Sequence, residues 1–518
     1  MSGAGRWRRA AVALALSCLV LSGPSTVEAA PRQDLQGVEG LARVYDAILD
    51  ARFDQVQAEL RRACGPAPPE ACDVLAATAL WWQILLDQEN PALDDEFNAA
   101  AERAIRTTEA WVDRAPASAE AWFYLGGAYA VRVQWRVLRN EKLAAARDGR
   151  RIHQALSQAL SLNPELDDAY FALGMYRYYA DVAPTAARIL RFLLLLPGGD
   201  REAGLAEMLR AREHGRLLQG EADYQIHVIY LWYEGQVDQA LELLRGLQKE
   251  YPGNPLFPAQ IADVQDRYQH DVSASLATWR ALLAAGREQR VNAAPLAQAQ
   301  ARLGIARQLE RLYQTDHAIE QLEALVGSKP DTPYGSMALA NLRLGEARDR
   351  MGFRDAAMTA YRAAIATTPK PDPSNIRAQA AERLRRAPDR RMSEAYRLSL
   401  EGFRHLEQND VPAAAAALER SLALDADDPV ARFRYGRVLQ ARKDDAGALA
   451  QFEQTIARSE KTPPVVLGNA YLEAARLHER AERVPQAISY YQIAATLFAA
   501  ASETHAAAAR ALTRLRAR

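Results

Sequence analysis

The sequence predicts an all-α protein built as a stack of helical hairpins, and three observations predict it. Apolar residues recur at three- and four-residue spacing within short segments, which is the period of a helix. Breaks containing Pro fall at intervals of roughly 30 to 50 residues, the spacing of a repeat architecture. Gly and Pro number only 28 and 25 of 518 residues, and Asn-Gly or Asp-Gly turns do not punctuate alternating strands. Hydrophobic residues at 49% and charged residues at 25% allow packed cores and exclude wholesale disorder. Lys+Arg is 64 against Asp+Glu 65, so the basic surplus of a nucleic-acid binder is absent. Six of the cations are Lys and 58 are Arg; with abundant Ala, this is the composition of a GC-rich bacterial coding sequence.

The repeating unit is read from small residues. Trp122-x-x-Leu125-Gly126-x-x-Tyr129 opens one unit, and Leu344-Gly345, Gly352, Ala357, Tyr361, Ala364 and Pro369 lay out another in full. Gly402, Ala414 and Leu418 recur 34 residues on as Gly436, Ala448 and Phe452, and Ala240 recurs as Ala274. Two helices that cross closely need small residues where their backbones approach, and Tyr361 is expected to fill the gap to the neighbouring unit. Pro369 stops the second helix, having no N–H to donate. No such unit buries its apolar face alone, so the units stack. These motifs resemble the tetratricopeptide (TPR) repeat. The resemblance covers most of Val38 to Phe498, is strongest in the C-terminal half, and implies a TPR-like α-solenoid, a right-handed superhelix with a divergent N-terminal half. It also implies protein–protein interaction rather than catalysis.

Taken in chain order, residues 1–29 form a signal peptide. Arg6, Arg8 and Arg9 precede the apolar run Ala10 to Leu21, too short for the about 20 residues that span a bilayer. Val27-Glu28-Ala29 offers small residues to a signal peptidase, so the chain is expected to be exported, periplasmic or secreted. Ala15-Leu16-Ser17 before Cys18 is a poor lipobox, which argues against a lipoprotein. Residues 30–116 read as N-terminal helical hairpins. There Cys64 and Cys72 flank a Pro-rich turn, which reads as a disulfide in an oxidising compartment, the alternative being two free thiols. Residues 117–255 form a divergent, aromatic-rich region. Fourteen extra residues between Trp122 and Pro164 are expected to lengthen both helices of one unit. In Gly198-Gly199-Asp200, Asp200 is a helix cap rather than part of an anion site. Residues 256–369 hold further repeats, including the loose unit Leu303-Gly304, Ala318 and Pro330. Residues 370–392 form a linker with a short helix that Ser374 caps. Residues 393–501 are C-terminal repeats, and 502–518 a capping helix whose terminal arginines suit the helix dipole.

No catalytic constellation appears: the eight His are scattered, and neither His-Glu-x-x-His, nor Gly-x-Ser-x-Gly, nor a phosphate-cradling loop is present. No metal, cofactor or small-molecule substrate is expected. In TPR proteins the concave face is lined by particular first-helix positions. Carried onto this chain, those positions are Phe123, Phe171, Met175, Tyr178, Tyr179, Trp232 and Tyr233 in the middle, and Glu346, Asp349, Arg350, Phe433, Arg437 and Gln440 toward the C-terminus. The resemblance therefore implies a groove for a protein or peptide, aromatic in one half and charged in the other. The competing reading packs the aromatics against the insertion or the N-terminal helices. The Lys and Asn that hold chaperone C-termini in some TPR proteins are replaced by Phe123 and Gly127, Phe171 and Met175, Leu342 and Glu346, so that activity is not implied. Pro184 to Pro197 carries an apolar stripe and resembles a block in eukaryotic TPR proteins linked to inclusion-body clearance and the mitochondrial outer membrane. Two readings stand: a core helix, or an in-plane helix giving weak membrane-surface contact in an envelope-assembly factor.

Overall fold

The computed structural model describes residues 35–182 and 198–517, and the expected signal peptide and the 184–197 segment lie outside the described residues. Those described form 24 helices and no strand. The N-terminal half comprises α1 (Val38–Leu49), α2 (Phe53–Ala63), α3 (Pro69–Leu86), α4 (Asp94–Arg114), α5 (Ala119–Leu138), α6 (Lys142–Leu162), α7 (Ala169–Val182) and α8 (Arg201–His214). Next come α9 (Gln219–Ile229), prolonged by a π-helical turn at Tyr230–Glu234, then α10 (Val237–Glu250), α11 (Leu256–Arg267) and α12 (Val272–Arg287). The C-terminal half comprises α13 (Ala294–Arg311), α14 (Thr315–Ser328), α15 (Ser336–Arg350), α16 (Arg354–Thr367), α17 (Ile376–Arg385), α18 (Arg390–Glu407), α19 (Val411–Leu424), α20 (Pro429–Ala441), α21 (Asp445–Ala457), α22 (Pro464–Arg480), α23 (Val484–Thr496) and α24 (Ser502–Arg516). Each packs chiefly on its chain neighbours, so the fold is an α-solenoid of TPR-like hairpins. The inserted residues of the Trp122 unit lengthen both helices, α5 to 20 residues and α6 to 21.

The small residues sit where the repeat reading puts them. A β-carbon on Gly345 would lie 2.6 Å from Tyr361 Cδ1, one on Gly402 2.6 Å from Leu418 Cγ, and one on Gly126 2.7 Å from Leu156 Cγ. In each case the large residue belongs to the second helix of the same hairpin. Tyr361 thus seals its own unit against Gly345 and also clusters with Ile376 and Ala380 of α17, so it reaches the neighbouring helix as expected. Gly304 does the reverse, facing Trp279 of the preceding helix, with Cγ 2.7 Å from its would-be β-carbon. The turn inside a hairpin is also repeated. Ala51, Asn140, Gly235, His270, Tyr313, Gly352, Asn409, Lys443 and Glu482 all take the left-handed conformation there, and only two are Gly. That regularity is invisible to residue matching because most of these positions tolerate the strain rather than selecting Gly.

Caps follow local chemistry. Asp200 accepts from Ala203 N–H to start α8, as expected, and Ser118, not singled out in the sequence, accepts from Ala121 N–H to start α5. Ser374 does not cap α17. Asp372 does so instead, its two carboxylate oxygens accepting from Ile376 and Arg377 N–H at 3.0 and 3.1 Å. Ile376 and Ala380 bury against Tyr361 and Ala364, so this segment is a packed member of the stack and not a bare linker. One continuous core runs from Leu35 to Leu296, and no break in it falls at residue 116; a second runs from Ala259 to Ala360, with smaller clusters beyond.

Candidate functional site

The N-terminal half coils tightly enough that its first helices meet across the superhelix axis. Glu221 of α9 is buried, accepting from Trp82 Nε1 at 2.9 Å, Tyr45 Oη at 3.2 Å and Gln225 Nε2 at 3.3 Å. Trp82 of α3 sets its ring 4.9 Å from Tyr224, tilted, and 6.3 Å from Phe257, edge to face. Gln225 reaches Gln134 of α5 at 2.9 Å. The N-terminal hairpin plugs the remaining side: Asp50 accepts from Gly253 N–H, Leu49 C=O from Asn254, and Asp50 C=O from Asn292. The axis is left with a cavity of only about 60 Å³ among Tyr45, Trp81, Phe123, Tyr124 and Phe171.

This closure corrects the aromatic-groove expectation. Phe123, Phe171 and Tyr178 are buried and face the chain's own helices. Met175 and Tyr179 are partly buried against the same core. Tyr178 donates to Glu234 and joins Tyr179 and Tyr233 in an edge-to-face cluster with centroids 5.6 to 5.9 Å apart. Trp232 and Tyr233, at 66% and 44% exposure on the π-helical turn, are the exposed members of this set. The sequence signal for closure is α3 itself: Val74 to Leu86 is apolar on every face, the mark of a helix covered all round.

Burial also sets proton affinities here. It holds the His227 imidazole down to about 4 from its ordinary 6.5, and pushes the Glu120 carboxyl up to about 6 against two hydrogen bonds from Gln36. His227 therefore binds a proton in the unfolded chain below pH 6.5 but in the fold only near pH 4. The stability it contributes is complete above pH 6.5 and is lost as pH falls through that window, by about 3 kcal/mol. Glu120 and Glu221, both raised by burial, act with the opposite sign, so the effect is isolated by difference. Urea titrations from pH 7 to pH 4 are expected to show a flatter loss of stability for His227→Gln than for wild type; parallel curves would contradict this assignment.

The open part of the concave face lies in the C-terminal half. A recess of about 810 Å³ is walled by α11, α13 and α15, with the end of α3 reaching across it. Asp87 holds that bridge by accepting from Tyr334 N–H at 2.9 Å, and Gln300 Nε2 donates to Leu86 C=O at 3.2 Å. The floor is apolar, with Leu256, Ala259, Leu303 and Leu339; the rim is charged, with Arg307 on Asp263 at 2.6 Å, Arg343 on Glu346 at 2.7 Å and Arg350 on Glu310 at 2.7 Å. Five buried polar atoms in the lining have no hydrogen-bond partner among the described residues: Gln260 Oε1, Gln300 Oε1 and Trp279 Nε1, with Arg307 Nε and Glu310 Oε1 on side chains that are themselves ion-paired. Of the charged residues read from the sequence, Glu346 and Arg350 line this recess. Asp349 is buried, accepting from Tyr361 Oη and paired with Arg354. Phe433 packs on Phe452, and Arg437 is exposed. Gln440 belongs to a separate recess farther along. Gln260 and Gln300 were not legible as site residues, because a lone Gln on a first helix carries no motif. Among the described residues no cluster of His, Cys, Asp and Glu has the arrangement of a metal site, and no helix is long and apolar enough to cross a membrane.

No family model matches this chain, and no curated protein matches it. Among solved structures it is similar to a tetratricopeptide repeat protein from Parabacteroides merdae, at 13% identity over 57% of this chain and 98% of that one, with a TM-score of 0.26. It is also similar to the TPR2AB domain of yeast Sti1 in a complex with pHSP90, at 14% identity over 57% and 96%, TM-score 0.20. A third likeness is to the human IFIT1 dimer with PPP-AAAA, at 15% identity over 82% and 94%, TM-score 0.32. Likenesses of that size locate no site on this chain.

Proposed function

We propose that this chain is a non-catalytic scaffold that holds an extended segment of a partner polypeptide in the recess between α11, α13 and α15. The observation that carries the reading is the set of unsatisfied buried polar atoms at Gln260, Gln300 and Trp279. A buried polar atom without a partner costs about 1–3 kcal/mol, and a peptide backbone supplies both the N–H donors and the C=O acceptors these atoms lack. The apolar floor and paired rim fit the division of an interface into a hydrophobic centre and a polar edge. The test is the partner that co-purifies with the chain from its own cell. Gln260→Ala with Gln300→Ala is expected to weaken its retention about tenfold, with the denaturation midpoint held. Undiminished retention would refute the site.

The same reading places the protein outside the cytoplasm. Its support is the basic, apolar and small-residue succession of residues 1–29 together with the Cys64–Cys72 pair, which is disulfide-bonded across the turn from the end of α2 to the first turn of α3. Thiol labelling of the unreduced, processed protein is expected to find no free cysteine; labelling at both positions would count against export.

A further inference from the structure

A second recess, of about 640 Å³, lies at the C-terminal end of the stack between α20, α22 and α24. Four arginines line it in register: Arg476 and Arg480 on α22 recur 34 residues later as Arg510 and Arg514 on α24. Its two acids are already consumed. Glu473 accepts from Arg476 at 2.7 Å and Gln440 at 3.0 Å; Glu479 accepts from Tyr491 at 2.8 Å and from Arg514 through both oxygens. Those acids are covered, at 12% and 19% side-chain exposure, whereas Arg476, Arg480 and Arg514 are about half exposed. Arg480 turns one nitrogen to Asp445, outside the recess, and Arg510 has no ion pair among the described residues. A ligand entering here meets guanidinium groups first, with two positive charges in excess in the lining, that of Arg480 shared with Asp445, and the glutamates already neutralised beneath them.

We propose that this recess docks an acidic, extended segment of a partner polypeptide, its carboxylates on the arginines. The proposal rests on the scaffold reading and adds the chemistry of the partner. A carboxylate side chain suits planar guanidinium forks, and Gln440, which donates to Glu473, retains its amide oxygen for a peptide N–H. A dense polyanion fits less well, because the two covered glutamates halve the positive charge of the pocket.

The probe is a short labelled peptide alternating Glu and Ser, titrated into the full chain by fluorescence anisotropy, with a Gln-for-Glu peptide and inorganic polyphosphate as comparators. The acidic peptide is expected to bind about tenfold tighter than the Gln peptide at low salt and to weaken as salt rises. Arg510→Glu is expected to cost about tenfold and Arg510→Lys much less. Because Arg510 pairs with no acid among the described residues, an unchanged denaturation midpoint is expected for both. Equal binding of the Gln peptide, indifference to Arg510→Glu, or binding of polyphosphate alone would overturn the proposal. Gln260→Ala with Gln300→Ala leaves the acidic-peptide affinity untouched, so this site and the central recess fail separately.

Discussion

Gly345→Val lowers stability by about 3 kcal/mol, and the reason is a ring that has nowhere to go. A β-carbon at 345 would sit 2.6 Å from Tyr361 Cδ1, well inside contact distance. Tyr361 is fully buried, boxed in by Ala357, Ala364, Ile376 and Ala380, and its hydroxyl is tied to Asp349 at 3.0 Å. Relief therefore requires separating α15 from α16, which also exposes the core they share. Intrinsic propensity pulls the other way: mid-helix Gly→Ala normally gains about 1 kcal/mol. That opposition provides an internal control. Gly246, on the exposed face of α10 with open space around it, is expected to stabilise when changed to Ala, while Gly345→Ala destabilises. Denaturation midpoints moving in the same direction for the two would break the assignment of Gly345 to a close helix crossing.

The second large effect concerns the closed axis. Glu221→Ala is expected to cost about 4 kcal/mol, the sum of a small cavity and of buried donors left without their acceptor. Those donors are Tyr45 Oη and Trp82 Nε1, both buried, which come from α1 and α3, far away in the chain. Glu221→Gln keeps one acceptor oxygen and is expected to cost clearly less. Burial raises the Glu221 carboxyl above the ordinary range, so the ionised group is a burden that rises with pH, and the Gln variant removes that burden. Equal midpoints for wild type and the Ala variant would mean that α1 and α3 do not depend on Glu221 for their seat.

How much of this was legible in the sequence follows from the range of the interactions. Local features were readable: the Gly345, Ala357, Tyr361 and Ala364 spacing, the lengthened α5–α6 hairpin, the Asp200 cap and the pairing of Cys64 with Cys72 all depend on residues close in the chain. The filled axis was not, because Tyr45 and Glu221 meet across 176 positions, and no periodicity reports how tightly a superhelix coils. A first-helix aromatic such as Phe123 has the same local signature whether it faces a partner or a helix one superhelical turn away. The competing reading, packing against the N-terminal helices, was the physically correct one for Phe123 and Phe171. Charge was the better guide. Glu346 and Arg350 stay at an open surface because desolvating them without a partner is costly, and they line the recess.

The central claim is that the N-terminal half spends its concave face on itself and leaves docking to the C-terminal half. Hydroxyl-radical footprinting of the intact chain tests it most directly. Trp82, Phe123, Tyr124 and Phe171 are expected to be protected until global unfolding, while Trp232 and Tyr334 are oxidised in the native state. Native-state oxidation of Phe123 and Phe171 at the rate of Trp232 would contradict it.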